Sequence, residues 1–185
     1  MPFDKILIAN RGEIACRVIR TARAMGIRTV AVFSDADAGS KHVQMADEAV
    51  RVGEAASAAS YLQGRRIIDA ALKTGAKAIH PGFGFLSENA EFCEAVQAVG
   101  LVWIGPPTGA IRSTGDKIES KRLAAAAGVS TVPGYVGEID SPEQAVEIAT
   151  EIGFPVMIMA SAGGGGQGMR IAESAEDVGP ELDIL

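Results

Sequence analysis

The chain has 185 residues, room for one domain or one and part of a second. Apolar residues make up 48% of it, enough for a sizeable core, and the net charge of −6 excludes the basic footprint of a nucleic-acid binder. Met1-Pro2-Phe3-Asp4-Lys5 lacks a signal-type apolar stretch and no apolar run reaches membrane-spanning length, so no membrane role and a cytoplasmic protein are expected.

In chain order, Lys5-Ile6-Leu7-Ile8-Ala9 is a short apolar run of the kind that forms a parallel strand buried on both faces. Asn10-Arg11-Gly12 turns the chain, and residues 13–25 carry Ile14, Val18, Ala22 and Met25 at helical spacing before Gly26. Thr29-Val30-Ala31-Val32-Phe33 is a second strand, and Ala49-Val50-Arg51-Val52 a weaker third. Ser60 is in place to cap a helix through Ile67, Ile68 and Leu72, closed by Gly75. Ala76-Lys77-Ala78-Ile79-His80 is the next strand; Ser87 or Asn89 then starts a helix that ends at Gly100, and Leu101-Val102-Trp103-Ile104 is a strand again. Cys16 and Cys93 fall in the helical patterns as buried thiols, not as a disulfide or metal pair. The alternation predicts an α/β fold, a doubly wound parallel sheet with right-handed crossovers.

The pattern changes near residues 105–117, which divides the chain into domains at 1–114 and 115–185. The second part reads as helices on either side of Gly115, a linker near residues 129–134, a helix capped by Ser141-Pro142 and closed by Gly153, and an apolar strand ending at Met159. Five glycines then fall in six positions: Gly163, Gly164, Gly165, Gly166 and Gly168. Such a run exposes bare backbone N–H groups, which suit phosphate oxygens. Gly163, Gly165 and Gly168 fit the dinucleotide fingerprint formally, but a strand, Met169-Arg170-Ile171-Ala172, follows where that motif needs a helix. A phosphate-binding P-loop fails as well, because Met169 stands where its lysine belongs. A flap between two strands, or an ordinary glycine-rich hairpin or linker, remains.

Other candidates carry two readings each. Arg11 and Glu13 lie at a strand's carboxyl end, where open α/β sheets bind ligands, but Glu13 also suits a helix N-terminus. His80, Phe83, Gly84 and Glu88 belong to a loop at another strand end, which is either a ligand wall or a tight turn with a satisfied core histidine. His42 shows no partner and reads as a surface residue. Lys117, just past Gly115-Asp116, is either solvated or a point charge for phosphate. The residues assemble neither a Ser/His/Asp set nor a metal cluster.

The strand and turn of residues 5–15, the loop of residues 80–89, Gly115-Asp116-Lys117 and the glycine flap occur together, in this order and spacing, in biotin carboxylase. The chain resembles that family from about residue 3 to residue 172, most of all the biotin-carrying subunits of propionyl-CoA and methylcrotonyl-CoA carboxylases. The resemblance implies a pre-ATP-grasp domain followed by the start of an ATP-grasp domain. It implies use of MgATP and bicarbonate to carboxylate biotin on a carrier domain, with a carboxyltransferase subunit as a further partner and a homo-oligomeric parent. Other ATP-grasp ligases, such as carbamoyl-phosphate synthetase, and a degenerate non-catalytic interaction module are the alternatives.

By the same resemblance Lys117 contacts ATP phosphates, Gly163, Gly164, Gly165 and Gly166 close over the triphosphate, and Met169 lines the adenine pocket. His80, Phe83, Gly84 and Glu88 wall the phosphate and biotin end. Three residues depart from the family pattern: Phe83 replaces a tyrosine, Met159 a lysine and Gln167 a lysine or arginine. The last two remove charge-assisted contacts worth roughly 1.5–3 kcal/mol each, while Met159 suits a buried strand. The family's magnesium ligands and catalytic base correspond to positions past Leu185, so no catalytic or metal residue is assigned here and this length of chain is not expected to turn over.

Overall fold

The computed structural model describes residues 3–115, 117–132, 134–135, 137, 139–159 and 168–183. Its contacts divide the chain into two compact units, Met1–Gly115 and Asp116–Leu185.

The first unit is built on five parallel strands, β1 (Lys5–Ile8), β2 (Arg28–Ser34), β3 (Glu48–Gly53), β4 (Ala78–His80) and β5 (Val102–Trp103), in the order β3-β2-β1-β4-β5. β1 lies in the middle, with Leu7 paired to Val30 on one side and Ile79 on the other. Side chains alternate across a strand, so β1 serves two cores. Ile6 and Ile8 pack with Ala15, Val18, Ile19 and Ala22 of α1 (Gly12–Ala24). Leu7 packs in the opposite cluster with Ile67 and Ala71 of α3 (Gly64–Thr74) and with Phe92 and Val96 of α4 (Ala90–Ala98). Asn89 caps α4, its Oδ1 accepting the Phe92 N–H at 2.7 Å. A short α2 (Lys41–Met45) and a terminal α5 (Thr108–Gly115) complete the unit.

Two sequence expectations change here. Ser60 caps no helix: it is buried, its hydroxyl donates to the Ala56 carbonyl at 2.8 Å, and α3 starts at Gly64. A Cβ at Gly64 would meet the Phe92 ring at 2.8 Å, so α3 packs closely against α4 at its first residue. His42 is not at the surface. It is fully buried on α2, with Nε2 3.2 Å from the Val32 carbonyl oxygen. A five-residue helix is too short to show an apolar period, which is why its sequence does not reveal this.

The second unit holds α6 (Lys117–Ala126), α7 (Pro142–Ile152), an antiparallel pair β6 (Val156–Met159) and β7 (Met169–Ala172), and α8 (Ala175–Asp183). Ser141 caps α7 as its sequence implies, accepting the Gln144 N–H at 3.2 Å. Ala145, Ala149, Ala172 and Val178 form the core, with Val156 and Ile158 of β6 packed against it. None of residues 118–126 is buried. Among the described residues no helix is long and apolar enough to cross a membrane.

Candidate functional site

The sheet order places the candidate edge. From β1 the chain winds outward through β2 to β3, then returns to the other side of β1 as β4. The carboxyl ends of β1 and β4 therefore flank the switch point where open α/β sheets leave a ligand crevice. Residues 9–12 and 80–89 lie there.

Asn10 and Arg11 leave β1 in opposite roles. Asn10 is buried, and its Nδ2 donates to the carbonyls of Pro81 and Phe83, each at 2.8 Å, while its Oδ1 accepts the Arg11 N–H at 2.9 Å. Arg11 turns toward the β2 end and donates twice to Asp37, at 2.6 and 2.7 Å. Asp37 is a hub: it also accepts from the Tyr61 hydroxyl at 2.6 Å, from Ser34 Oγ at 3.2 Å and from Ser40 Oγ at 3.1 Å. The Arg11 hydrogen bonds, outweighing burial, hold the Asp37 carboxyl far below the usual carboxylate range, and Asp37 in turn raises Arg11. Burial, then donation to Asp37, pushes the Tyr61 hydroxyl upward. The expectation of a ligand-facing Arg11 thus meets a guanidinium whose fork is occupied by a carboxylate. Glu13 sits in the first turn of α1, on the favourable end of the helix dipole.

The β4 loop is tied at both ends. His80 Nδ1 accepts the Gly82 N–H at 3.0 Å, so the ring is neutral with its proton on Nε2. Burial and then the nearby positive charge of Arg17 hold the His80 pKa below its ordinary value. Gly82 and Gly84 take φ of 70° and 62°, the left-handed region open to glycine, and Phe85 follows at 48°. The Phe85 ring stacks on Tyr61 with centroids 5.2 Å apart. Between these anchors the Phe83 ring is 66% exposed, and Glu88 is exposed at the end of the 3-10 turn Phe85–Glu88. His80, Phe83, Gly84 and Glu88 thus share one loop at the carboxyl end of β4. Sequence reading missed Asp37 and Tyr61, and it took Asn10 for a turn residue only.

In the second unit, the β6–β7 register sets Met159 opposite Met169 and Met157 opposite Ile171. All four are exposed, forming the face turned away from α7 and α8. Met159 is 49% exposed, which corrects its reading as a buried strand residue: in Val156-Met157-Ile158-Met159 every side chain is apolar, so only the packing distinguishes the faces. Gly163, Gly164, Gly165, Gly166 and Gln167, together with the Lys117 side chain, lie outside the described residues. No group of three His, Cys, Asp or Glu among the described residues could hold a metal ion. An open apolar groove between α3 and α4, lined by Leu62, Ile68, Leu72, Phe92 and Val99, contains none of the candidate residues.

The first unit is a doubly wound α/β domain with its switch-point loops tied together, and the second carries a hairpin with an exposed apolar face. The chain belongs to the family described as biotin carboxylase, N-terminal domain, whose model matches residues 2–111. Residues 116–182 match the model of the carbamoyl-phosphate synthase L chain ATP binding domain. The propionyl-CoA carboxylase alpha chain of Ruegeria pomeroyi is 61% identical over 170 residues, 92% of this chain and 25% of that protein. The methylcrotonoyl-CoA carboxylase subunit alpha of Oryza sativa is 58% identical, over 94% of this chain and 24% of its own length. The chain therefore spans about a quarter of the curated relatives it matches. Among solved structures, biotin carboxylase from Campylobacter jejuni in a β-γ-ATP complex superposes with a TM-score of 0.90 at 42% identity, covering 98% of this chain and 41% of that one. The biotin carboxylase domain of Hydrogenobacter thermophilus 2-oxoglutarate carboxylase, with MgADP and bicarbonate, gives 0.89 at 47% identity over 100% of this chain and 40% of that one.

Proposed function

We propose that this chain is the N-terminal part of the biotin carboxylase component of an acyl-CoA carboxylase, with residues 1–114 as the pre-ATP-grasp domain and 115–185 as the start of the ATP-grasp domain. The parent is an ATP-dependent ligase that carboxylates biotin on a carrier domain and hands the product to a carboxyltransferase subunit. It acts as a homo-oligomer, in the cytoplasm. The observation that carries this reading is the pairing of Met159 with Met169 on an exposed face, at the two ends of the glycine run. The Met169 thioether offers a polarizable surface to an adenine ring, and Met159 beside it marks the strand end where the glycine run begins.

In this reading ATP supplies the activated phosphoryl group and bicarbonate the carbon. The chain's own residues bind and orient. Met169 lines the base, Gly163, Gly164, Gly165 and Gly166 offer backbone N–H groups to the phosphates, Lys117 gives them a point charge, and Met159 stands uncharged on the phosphate side. His80, Phe83, Gly84 and Glu88 wall the phosphate and biotin end, where Phe83 offers a ring face without a hydroxyl. The magnesium ligands and the base belong to the rest of the parent. The apolar Met159 and neutral Gln167 leave the phosphates with less positive charge than the family norm, so ATP binds more weakly than to its relatives.

The test is a hybrid in which residues 3–172 replace their counterparts in the Ruegeria pomeroyi alpha chain. Bicarbonate- and biotin-dependent phosphate release is expected, with a raised KM for ATP. Met159→Lys in that hybrid lowers the KM about tenfold or more, the equivalent of one regained charge-assisted contact. A folded hybrid with no such phosphate release overturns the reading, and an unchanged KM overturns the phosphate role of position 159. A carbamoyl-phosphate synthetase-like ligase is the second reading, favoured only by the model matched at residues 116–182. Ammonia-dependent ATP cleavage by the hybrid would select it.

A further inference from the structure

We propose that Asn10 is a positioning residue: it fixes the residue 80–89 loop and so sets how Phe83 is presented at the switch point. The inference rests on the reading above that this loop faces the biotin and phosphate end.

Asn10 is 3% exposed, and a buried primary amide is tolerated only when its hydrogen bonds are made. Both Nδ2 hydrogens are spent on Pro81 and Phe83, and Oδ1 is occupied by Arg11. The two acceptors straddle Gly82, so the amide grips the loop on either side of its sharpest turn. From the loop side the fit is as tight: a Cβ at Gly82 would stand 2.6 Å from Asn10 Nδ2. The far side of Phe83 is held by the Phe85–Tyr61 stack, and Tyr61 by Asp37.

The consequence falls on Phe83. Its carbonyl is bound by Asn10 while its ring is 66% exposed. An apolar ring in solvent on a backbone held from both sides has lost its loop entropy before any ligand arrives. Asn10, 73 residues away in sequence, is thus the group that pre-organises a contact it does not itself make. A purely structural asparagine would support the sheet instead, and the two roles separate experimentally.

Two variants of the 185-residue chain press on the clamp from opposite sides. Asn10→Asp keeps the shape but sets an oxygen against two carbonyls. Gly82→Ala drives a methyl group into the intact amide, on a backbone whose φ of 70° itself disfavours a side chain. Hydrogen–deuterium exchange at residues 82–88 is expected to accelerate at least tenfold in both, with the amides of β1 and β2 unchanged. In the hybrid alpha chain the same substitutions raise the KM for free biotin severalfold. Unchanged exchange at residues 82–88, acceleration spread equally through β1 and β2, or an unmoved KM for biotin would each overturn the proposal. If Asn10→Asp does not fold, Asn10→Ala, which removes the amide without setting a charge against the two carbonyls, decides. A hybrid that is inactive with Asn10 intact removes the proposed function, and the exchange measurements still decide the clamp.

Discussion

The two units differ in how many faces of their sheets they cover. The first packs α1 against one face of five strands and α3 with α4 against the other, and fully buried Leu7, Ile8, Ile19, Ile67 and Ile79 occupy the two cores. The second packs α7 and α8 against one face of two strands, with alanines supplying three of its four core residues. Met157, Met159, Met169 and Ile171 on the other face stay exposed. Sheet area covered on both sides stabilises a unit by itself, whereas a hairpin covered on one side is marginal. The difference teaches how each unit uses its surface: the first ties its rim with polar clamps, and the second leaves an apolar face open.

The largest effect should come from the first unit's interior. Ile19→Ala, at a fully buried site, is expected to cost about 2–5 kcal/mol in urea unfolding, while Val178→Ala in the second unit costs about 1–2 kcal/mol. Equal costs would break the contrast between the cores. Next comes the rim. Asp37→Ala leaves the Tyr61 hydroxyl and the Arg11 fork without their acceptor and should cost about 2–3 kcal/mol, read as a lowered midpoint. A loss below 0.5 kcal/mol would mean that water replaces the carboxylate without penalty.

Acid tests the same unit more gently. Both histidines of the chain, His42 and His80, lie in it, and burial lowers both pKa values. A group depressed on folding binds fewer protons when folded, so stability rises with pH. Their contribution is full above about 6.5 and is lost as pH falls through that value toward the lowered folded ones. The Asp37 contribution follows only below about 3.9, its carboxyl being depressed in the folded state. Melting temperature should therefore fall from pH 7 to pH 5, and His42→Gln should flatten part of that slope. A level profile would show that neither histidine is sheltered in solution.

How much of this was legible depends on range. Strands β1, β2 and β4, the Asn89 and Ser141 caps and the strand-to-strand setting of the glycine run follow from residues within a few positions of one another. The loop of residues 80–89 was legible as a candidate because glycines and a histidine cluster at a strand end. Its locks were not: Arg11 reaches Asp37 across 26 residues and Asn10 reaches Pro81 across 71, and no spacing rule links such pairs. His42 was misread because α2 is too short to carry a period, and Met159 because an all-apolar strand does not say which face is covered.

The smallest effect should be Met157→Ala. Met157 is 54% exposed and pairs with Ile171, itself 56% exposed, so its side chain has little burial to lose. Its neighbour Ile158 points to the covered face and packs against Val178 and its cluster. Met157→Ala is therefore expected to change stability by less than about 0.5 kcal/mol, against about 1–2 kcal/mol for Ile158→Ala, in the same urea titration. The contrast between adjacent residues removes differences of strand propensity and leaves the covering of each face as the variable. A cost above about 1 kcal/mol for Met157→Ala would show that the methionine face is covered in solution. The apolar surface assigned to the adenine ring would then have a competitor for its occupancy, measurable as a weaker affinity for adenosine in the wild-type chain than in a variant that frees the face.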